Sequence, residues 1–174
     1  MILSFEGNTP EFHEDCFIAA SADLVGAVCL GQSSSVWFSA VLRADSNTIN
    51  VGKRSNIQDH CILHVDQAHS LTIGDDVSVG HRAILHGCTI KDRALIGMGA
   101  VVMNGAIVGE DSLVAAGALV SENTIVPPRS LVLGVPAKVK RELSAQQVAS
   151  LLENSAGYTE LAERYRIDAE KHPY

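Results

Sequence analysis

Three histidines carry the strongest chemical signal in this chain: His64, His81 and His86, out of seven in 174 residues. Neutral imidazole is a good ligand for zinc and for other divalent metals of the first transition row, and three imidazoles leave one position of a tetrahedral ion open. A metal held that way lowers the pKa of water to about 7 and so makes hydroxide available at neutral pH. His64 follows Leu63 and His86 follows Leu85, in matching settings 22 residues apart, and His81 stands five residues before His86. A lone outward histidine is ordinarily a surface residue. The metal reading therefore depends on elements that stack two of these side chains and bring the third to them.

Those elements are written in the chain as a repeat. Stepping by six from Ile90 meets Ile96, Val102, Val108, Val114, Val120, Val126 and Val132, all apolar and β-branched. Four places after each residue from Ile90 to Val126 stands a small one: Ala94, Ala100, Ala106, Ser112, Ala118, Thr124 and Ser130. Upstream the rule runs through Ile18, Leu24, Leu30, Val36 and Leu42. It resumes after extra residues at 46–49 through Val51, Ile57 and Leu63, again after 66–70 through Ile73, Val79 and Leu85, and slips by one between Leu85 and Ile90. A hexapeptide is one short strand and a turn, and three of them close a triangular coil. Stacked coils bury their apolar positions against one another at the ~4.8 Å spacing of neighbouring strands. About six coils are expected from the repeats present.

The register fixes the histidines. His64 and His86 both take the second position of a hexapeptide, and their spacing is one coil plus the insertion at 66–70. They are expected on one face, in adjacent coils, with backbones ~4.8 Å apart. The five residues from His81 to His86 carry the chain round a corner, so His81 belongs to another face and cannot easily join the same ion from the same chain. Prisms packed about a threefold axis bring that face of one subunit to the His64 and His86 of the next, which predicts a homotrimer with intersubunit sites.

After Pro136 the pattern changes. Ser144 and Gln147 form a capping box, and Val148, Leu151, Leu152, Leu161, Ala162 and Tyr165 recur at helical spacing, with Gly157 expected to interrupt or kink the helix. The expected organisation is a β-helix domain over 1–140 and a C-terminal helix packed on it over 141–174. A formal charge of -7 with scattered Lys and Arg offers no face for nucleic acid. No apolar run is long enough to span a bilayer, and the first residues lack the pattern of a secretory signal, so no membrane association and a cytoplasmic location are expected. Cys16, Cys29, Cys61 and Cys88 form no C-x-x-C pair and are read as buried free thiols.

The segments Arg43-Ala44-Asp45, Asn56-Ile57-Gln58-Asp59, Leu63-His64, Val79-Gly80-His81 and Leu85-His86-Gly87-Cys88 together resemble the γ-class carbonic anhydrases, over roughly residues 10–140. The resemblance implies an all-β solenoid, a left-handed parallel β-helix of hexapeptide repeats with a C-terminal α-helix. It also implies a homotrimer in which His64 and His86 come from one subunit and His81 from its neighbour, and reversible hydration of CO2 to bicarbonate. Zn2+ is the metal implied, with Fe2+ or Co2+ equally compatible with imidazole ligands. In that family Gln58 orients the attacking hydroxide, Arg43 pairs with Asp45 and, across the interface, with Asp59, and Tyr158 leans toward the pocket; structural ion pairs and ordinary packing are the plainer roles for these residues. The chain departs from prototype members where a proton must leave: Ser46 replaces an acidic neighbour of Asp45, and only Asp66 stands in the short insertion. His60 and His69 are candidate substitutes, or solvent-facing turn residues. Weak activity is expected in consequence. Two other functions stay open at this point, a metal-stabilised trimeric scaffold with little catalysis and a hexapeptide acyltransferase, because the same coil serves all three.

Overall fold

A computed structural model describes residues 1–171. It is a parallel β-solenoid of about seven turns closed by one C-terminal helix, one turn more than the repeat count suggests. Most hexapeptides supply a strand of two or three residues whose apolar repeat residue points inward and whose neighbours turn the corner. On the first face Leu42, Leu63, Leu85, Val102 and Val120 stack in register as one fully buried column. The strands Leu71–Ile73, Thr89–Ile90, Ile107–Val108 and Ile125–Val126 form the second face. Ser35–Val36, Asn56–Ile57, Ser78–Val79, Leu95–Ile96 and Leu113–Val114 belong to the third. Because Val41–Val51 is a single long strand that pairs with both Ile62–His64 and Leu71–Ile73, the first two faces join into one twelve-stranded sheet.

The interruptions in the repeat fall at corners. Residues 46–49 are absorbed in the long strand Val41–Val51, where pairing to Asp23–Leu30 shifts register between Gly26 and Val28. The one-residue slip falls at Gly87, which takes a positive φ of 52°. Corner turns elsewhere place ordinary residues in the left-handed region, and one such column reads Ser33, Arg54, Asp76, Arg93, Asp111 and Arg129.

The helix Ala145–Lys171 lies on the third face, where Tyr158 and Tyr165 join Phe17, Trp37 and Phe38 in an aromatic cluster. Its start is the expected capping box: Gln147 N–H donates to Ser144 Oγ at 3.3 Å and Ser144 N–H donates to Gln147 Oε1 at 3.1 Å. The helix runs unbroken through Gly157, against expectation; the glycine is exposed, and neighbouring helical turns bridge it. Cys29 also departs from expectation. It alternates outward between buried Val28 and Leu30 and is exposed, and Cys16 is half-buried, whereas Cys61 and Cys88 are buried with thiols pushed up to about 12 by burial. The N-terminal strands Ile2–Leu3 and Glu11–Phe12, outside the repeat, pair with Asp23–Leu30. Among the described residues no helix is long and apolar enough to cross a membrane. His172 lies outside the described residues.

Candidate metal centre

Parallel pairing places Arg43, His64 and His86 directly above one another in three successive coils of the first face. The imidazole rings of His64 and His86 lie 4.9 Å apart, with His64 Nδ1 and His86 Nε2 separated by 3.0 Å. Their outer nitrogens are already engaged. His64 Nε2 lies 3.1 Å from Asp45 Oδ1, and Arg43 Nη1 donates to Asp45 Oδ2. Burial pushes the Asp45 carboxyl up, but hydrogen bonds from Arg43 and His64, with the Arg43 charge, outweigh it and hold the group below the usual carboxylate range. A carboxylate only accepts, so neutral His64 carries its proton on Nε2 and its Nδ1 is a bare lone pair. His86 Nδ1 lies 2.5 Å from Asn104 Oδ1, while Asn104 Nδ2 donates to Asp66 at 2.7 Å, so His86 carries its proton on Nδ1. Its Nε2 is then bare as well.

Two lone pairs 3.0 Å apart repel unless a cation lies between them. Ligands of a tetrahedral ion with ~2.05 Å bonds stand about 3.3 Å from one another, close to the separation seen. The donor set thus fits a divalent metal. His81 is on the other side of a corner, half-buried, and is held in the same way: its Nδ1 lies 2.7 Å from Asp59 Oδ2, leaving Nε2 bare. Among the described residues no group of three or more His, Cys, Asp or Glu of this chain is placed to hold a metal ion.

Around His81 the remaining candidate residues assemble. A cavity of about 480 Å³ is lined by Gln58, His81, Leu95, Met98, Asn154 and Tyr158, among others. Gln58 is buried; its Oε1 accepts the His81 backbone N–H at 3.2 Å and its Nε2 donates to Asn56 Oδ1 at 3.0 Å. The Tyr158 hydroxyl lies 3.4 Å from His81 Nε2 while its ring packs edge-on against Trp37, and burial together with the Asp59 charge pushes its pKa up. Asp59, expected beside Arg43 across an interface, is within the chain the partner of His81. Ser46 Oγ donates to Asp45 Oδ1 at 3.3 Å. His60 is exposed on a corner turn, whereas His69 is held by Asp66 at 3.0 Å. Asn104 and the His81–Asp59 pairing were missed from sequence; Asn104 shares no motif with the histidines, and its only signal is its place one coil after His86.

Fold and site together define a hexapeptide-repeat protein with paired outward histidines. Residues 87–122 match the family described as bacterial transferase hexapeptide (six repeats). The chain is 56% identical over 146 residues to a probable carbonic anhydrase of Methanocaldococcus jannaschii, covering 84% of this chain and 92% of that protein. It is 39% identical over 176 residues to the mitochondrial gamma carbonic anhydrase 1 of Arabidopsis thaliana, covering 98% of this chain and 64% of that protein. The crystal structure of a putative acetyltransferase from Bacillus cereus superposes with a TM-score of 0.94 at 41% identity, over 95% of this chain and 96% of that one. This chain belongs to the γ-class carbonic anhydrase family.

Proposed function

We propose that this protein is a homotrimeric carbonic anhydrase that hydrates CO2 reversibly to bicarbonate, with each metal held by His64 and His86 of one subunit and by His81 of the next. The observation that carries the reading is the pair of bare nitrogens facing each other across 3.0 Å, each fixed by an oxygen acceptor on its other side. The trimer is supported by an outward apolar stripe beside the two histidines. Val41, Ile62, Ile84, Val101 and Leu119 stand one per coil on the first face, and Ile62 and Ile84 are about two-fifths exposed in the single chain. Such a stripe is stabilised by cover from another subunit.

When bound, zinc, iron(II) or cobalt supplies the Lewis acidity that makes hydroxide available near neutral pH. The chain's own residues do the rest. Asp45 and Asp59 fix the tautomers of His64 and His81, and Arg43 keeps Asp45 ionised. Gln58, in the cavity wall next to His81, has one amide proton and one carbonyl lone pair left to orient the attacking oxygen. Hydroxide adds to the carbon of CO2, and one proton per turnover leaves to solvent. With Ser46 beside Asp45, and with Asp45 engaged by Arg43 and His64 and Asp66 by Asn104 and His69, the acidic side chains next to the histidine pair are already occupied, so small buffers take the role of carrying that proton. The test is CO2 hydration by protein of verified metal content, loaded with zinc or, without oxygen, with iron(II), over a series of imidazole concentrations. Activity that rises with buffer is expected. No hydration at any concentration with either metal overturns the reading and leaves a metal-stabilised scaffold.

A further inference from the structure

One coil beyond His86, Asn104 reaches back to the site. Its Oδ1 lies 2.5 Å from His86 Nδ1 and its Nδ2 donates to Asp66 Oδ2 at 2.7 Å. Asp66 is itself fixed within the inserted segment 66–70, where its Oδ1 accepts the backbone N–H groups of Ala68 at 2.9 Å and His69 at 2.8 Å. The chain of dependence runs one way. A carboxylate cannot donate, so Asp66 dictates which end of the Asn104 amide faces it, and the amide oxygen then dictates which nitrogen of His86 carries the proton. Space for this arrangement exists because residue 87 is glycine. A Cβ there would stand 2.7 Å from Asn104 Oδ1 and 2.6 Å from the His69 Cβ, closer than real side chains approach.

We propose that Asn104 is the positioning residue of His86, holding its Nε2 unprotonated and aimed at the metal, and that Asp66, acting through Asn104, makes the 66–70 insertion a determinant of metal affinity. The inference rests on reading His64, His81 and His86 as the ligands. Without an acceptor at Nδ1 the His86 ring is free to change tautomer and to rotate, and only one of the resulting states presents Nε2 to the metal. Loss of such an outer partner typically lowers metal affinity by about 10- to 100-fold.

The test is zinc competition between a chromophoric chelator and the metal-loaded protein, with the visible spectrum of the cobalt-loaded form recorded beside it. Asn104→Leu, of similar size but with no acceptor, is expected to weaken zinc binding by about 10- to 100-fold and to shift the cobalt spectrum. Asn104→Asp combined with Asp66→Asn exchanges donor and acceptor between the two positions while keeping an oxygen on His86, and is expected to recover parental affinity and spectrum. Asp66→Ala leaves every site side chain in place but frees the amide to flip, and should weaken binding by a smaller factor. The inference is overturned if Asn104→Leu binds zinc within about twofold of the parent, or if the exchanged pair fails to recover what Asn104→Leu loses. Unchanged affinity in Asp66→Ala overturns the role of the insertion. If His86→Ala holds zinc as tightly as the parent, the ligand assignment itself fails and takes this inference with it; loss of zinc there with none in Asn104→Leu overturns the inference alone.

Discussion

Each of the three histidines has one nitrogen tied to an oxygen, from Asp45 for His64, Asn104 for His86 and Asp59 for His81, which leaves the other nitrogen unprotonated; that of His81 lies 3.4 Å from the Tyr158 hydroxyl. Three different acceptors in three different coils give the same chemical result. The stacking of His64 on His86 was legible in the sequence, because both sit in a countable hexapeptide register. Their oxygen partners were not, since Asp45, Asp59 and Asn104 reach their histidines across coils through side-chain orientations that no spacing encodes. Gln58 belongs to the same group: Oε1 holds the His81 N–H and Nε2 holds Asn56, whose own amide donates to Ser78 Oγ at 2.9 Å. Replacing Gln58 by Ala removes the group proposed to orient the attacking oxygen. It is expected to lower kcat/KM for CO2 by on the order of 10- to 100-fold even in saturating buffer, where proton export no longer limits. An unchanged value in stopped-flow assays would place Gln58 among the packing residues. The same variant leaves Asn56 Oδ1 without its partner, so a modest fall in Tm accompanies the kinetic effect and is measured separately.

Among elements, the strands announced themselves and the corners did not. An apolar residue every sixth position is unambiguous, and the buried column Leu42, Leu63, Leu85, Val102 and Val120 follows it. Corners are fixed by side chains that bridge coils, and these recur once per coil but in changing residue types. Arg54 pairs with Asp76 through two hydrogen bonds of 2.7 and 2.6 Å, and Arg93 with Asp111 through two of 2.7 and 3.0 Å, so unlike charges alternate down one edge at left-handed turn positions. At the start of that edge Asp15 accepts the Ser33 N–H at 2.9 Å and the Ser33 hydroxyl at 3.0 Å, and faces His13 Nδ1 at 2.7 Å. Burial raises its carboxyl, but these bonds outweigh it and lower the pKa from 3.8 to about 2. A carboxyl depressed in the folded state stabilises above its unfolded pKa and loses that contribution as pH falls through the folded value. Asp15→Ala is therefore expected to cost about 1–2 kcal/mol at neutral pH, with solvent access keeping it below the full linkage value. The gap in Tm between parent and variant should close between pH 4 and pH 2. A gap that persists at the acid end would mean that Asp15 acts by packing and not by its charge.

At the scale of the whole molecule, the proposed ligand set is divided between two faces of the solenoid. Stacking puts His64 and His86 on the first face, and the corner at Arg82 keeps His81 off it, so the proposed three-histidine site would bring the His81 edge of one copy to the first face of another. Cyclic threefold closure satisfies every such edge with identical contacts, and it gives a prediction that depends on geometry alone. His64→Ala chains and His81→Ala chains, each by itself, lack one ligand at every interface and should hold no metal. Mixed by unfolding and refolding together in equal amounts, they form parent trimers and two kinds of hybrid. Around the ring of either hybrid just one interface joins an intact His64 and His86 pair to an intact His81. With random assembly three trimers in four are hybrids, so metal content should return to about a quarter of the wild-type value. Native mass spectrometry should find that metal only in the hybrids, one ion in each. Metal retained by either variant alone, or none recovered on mixing, excludes the shared site.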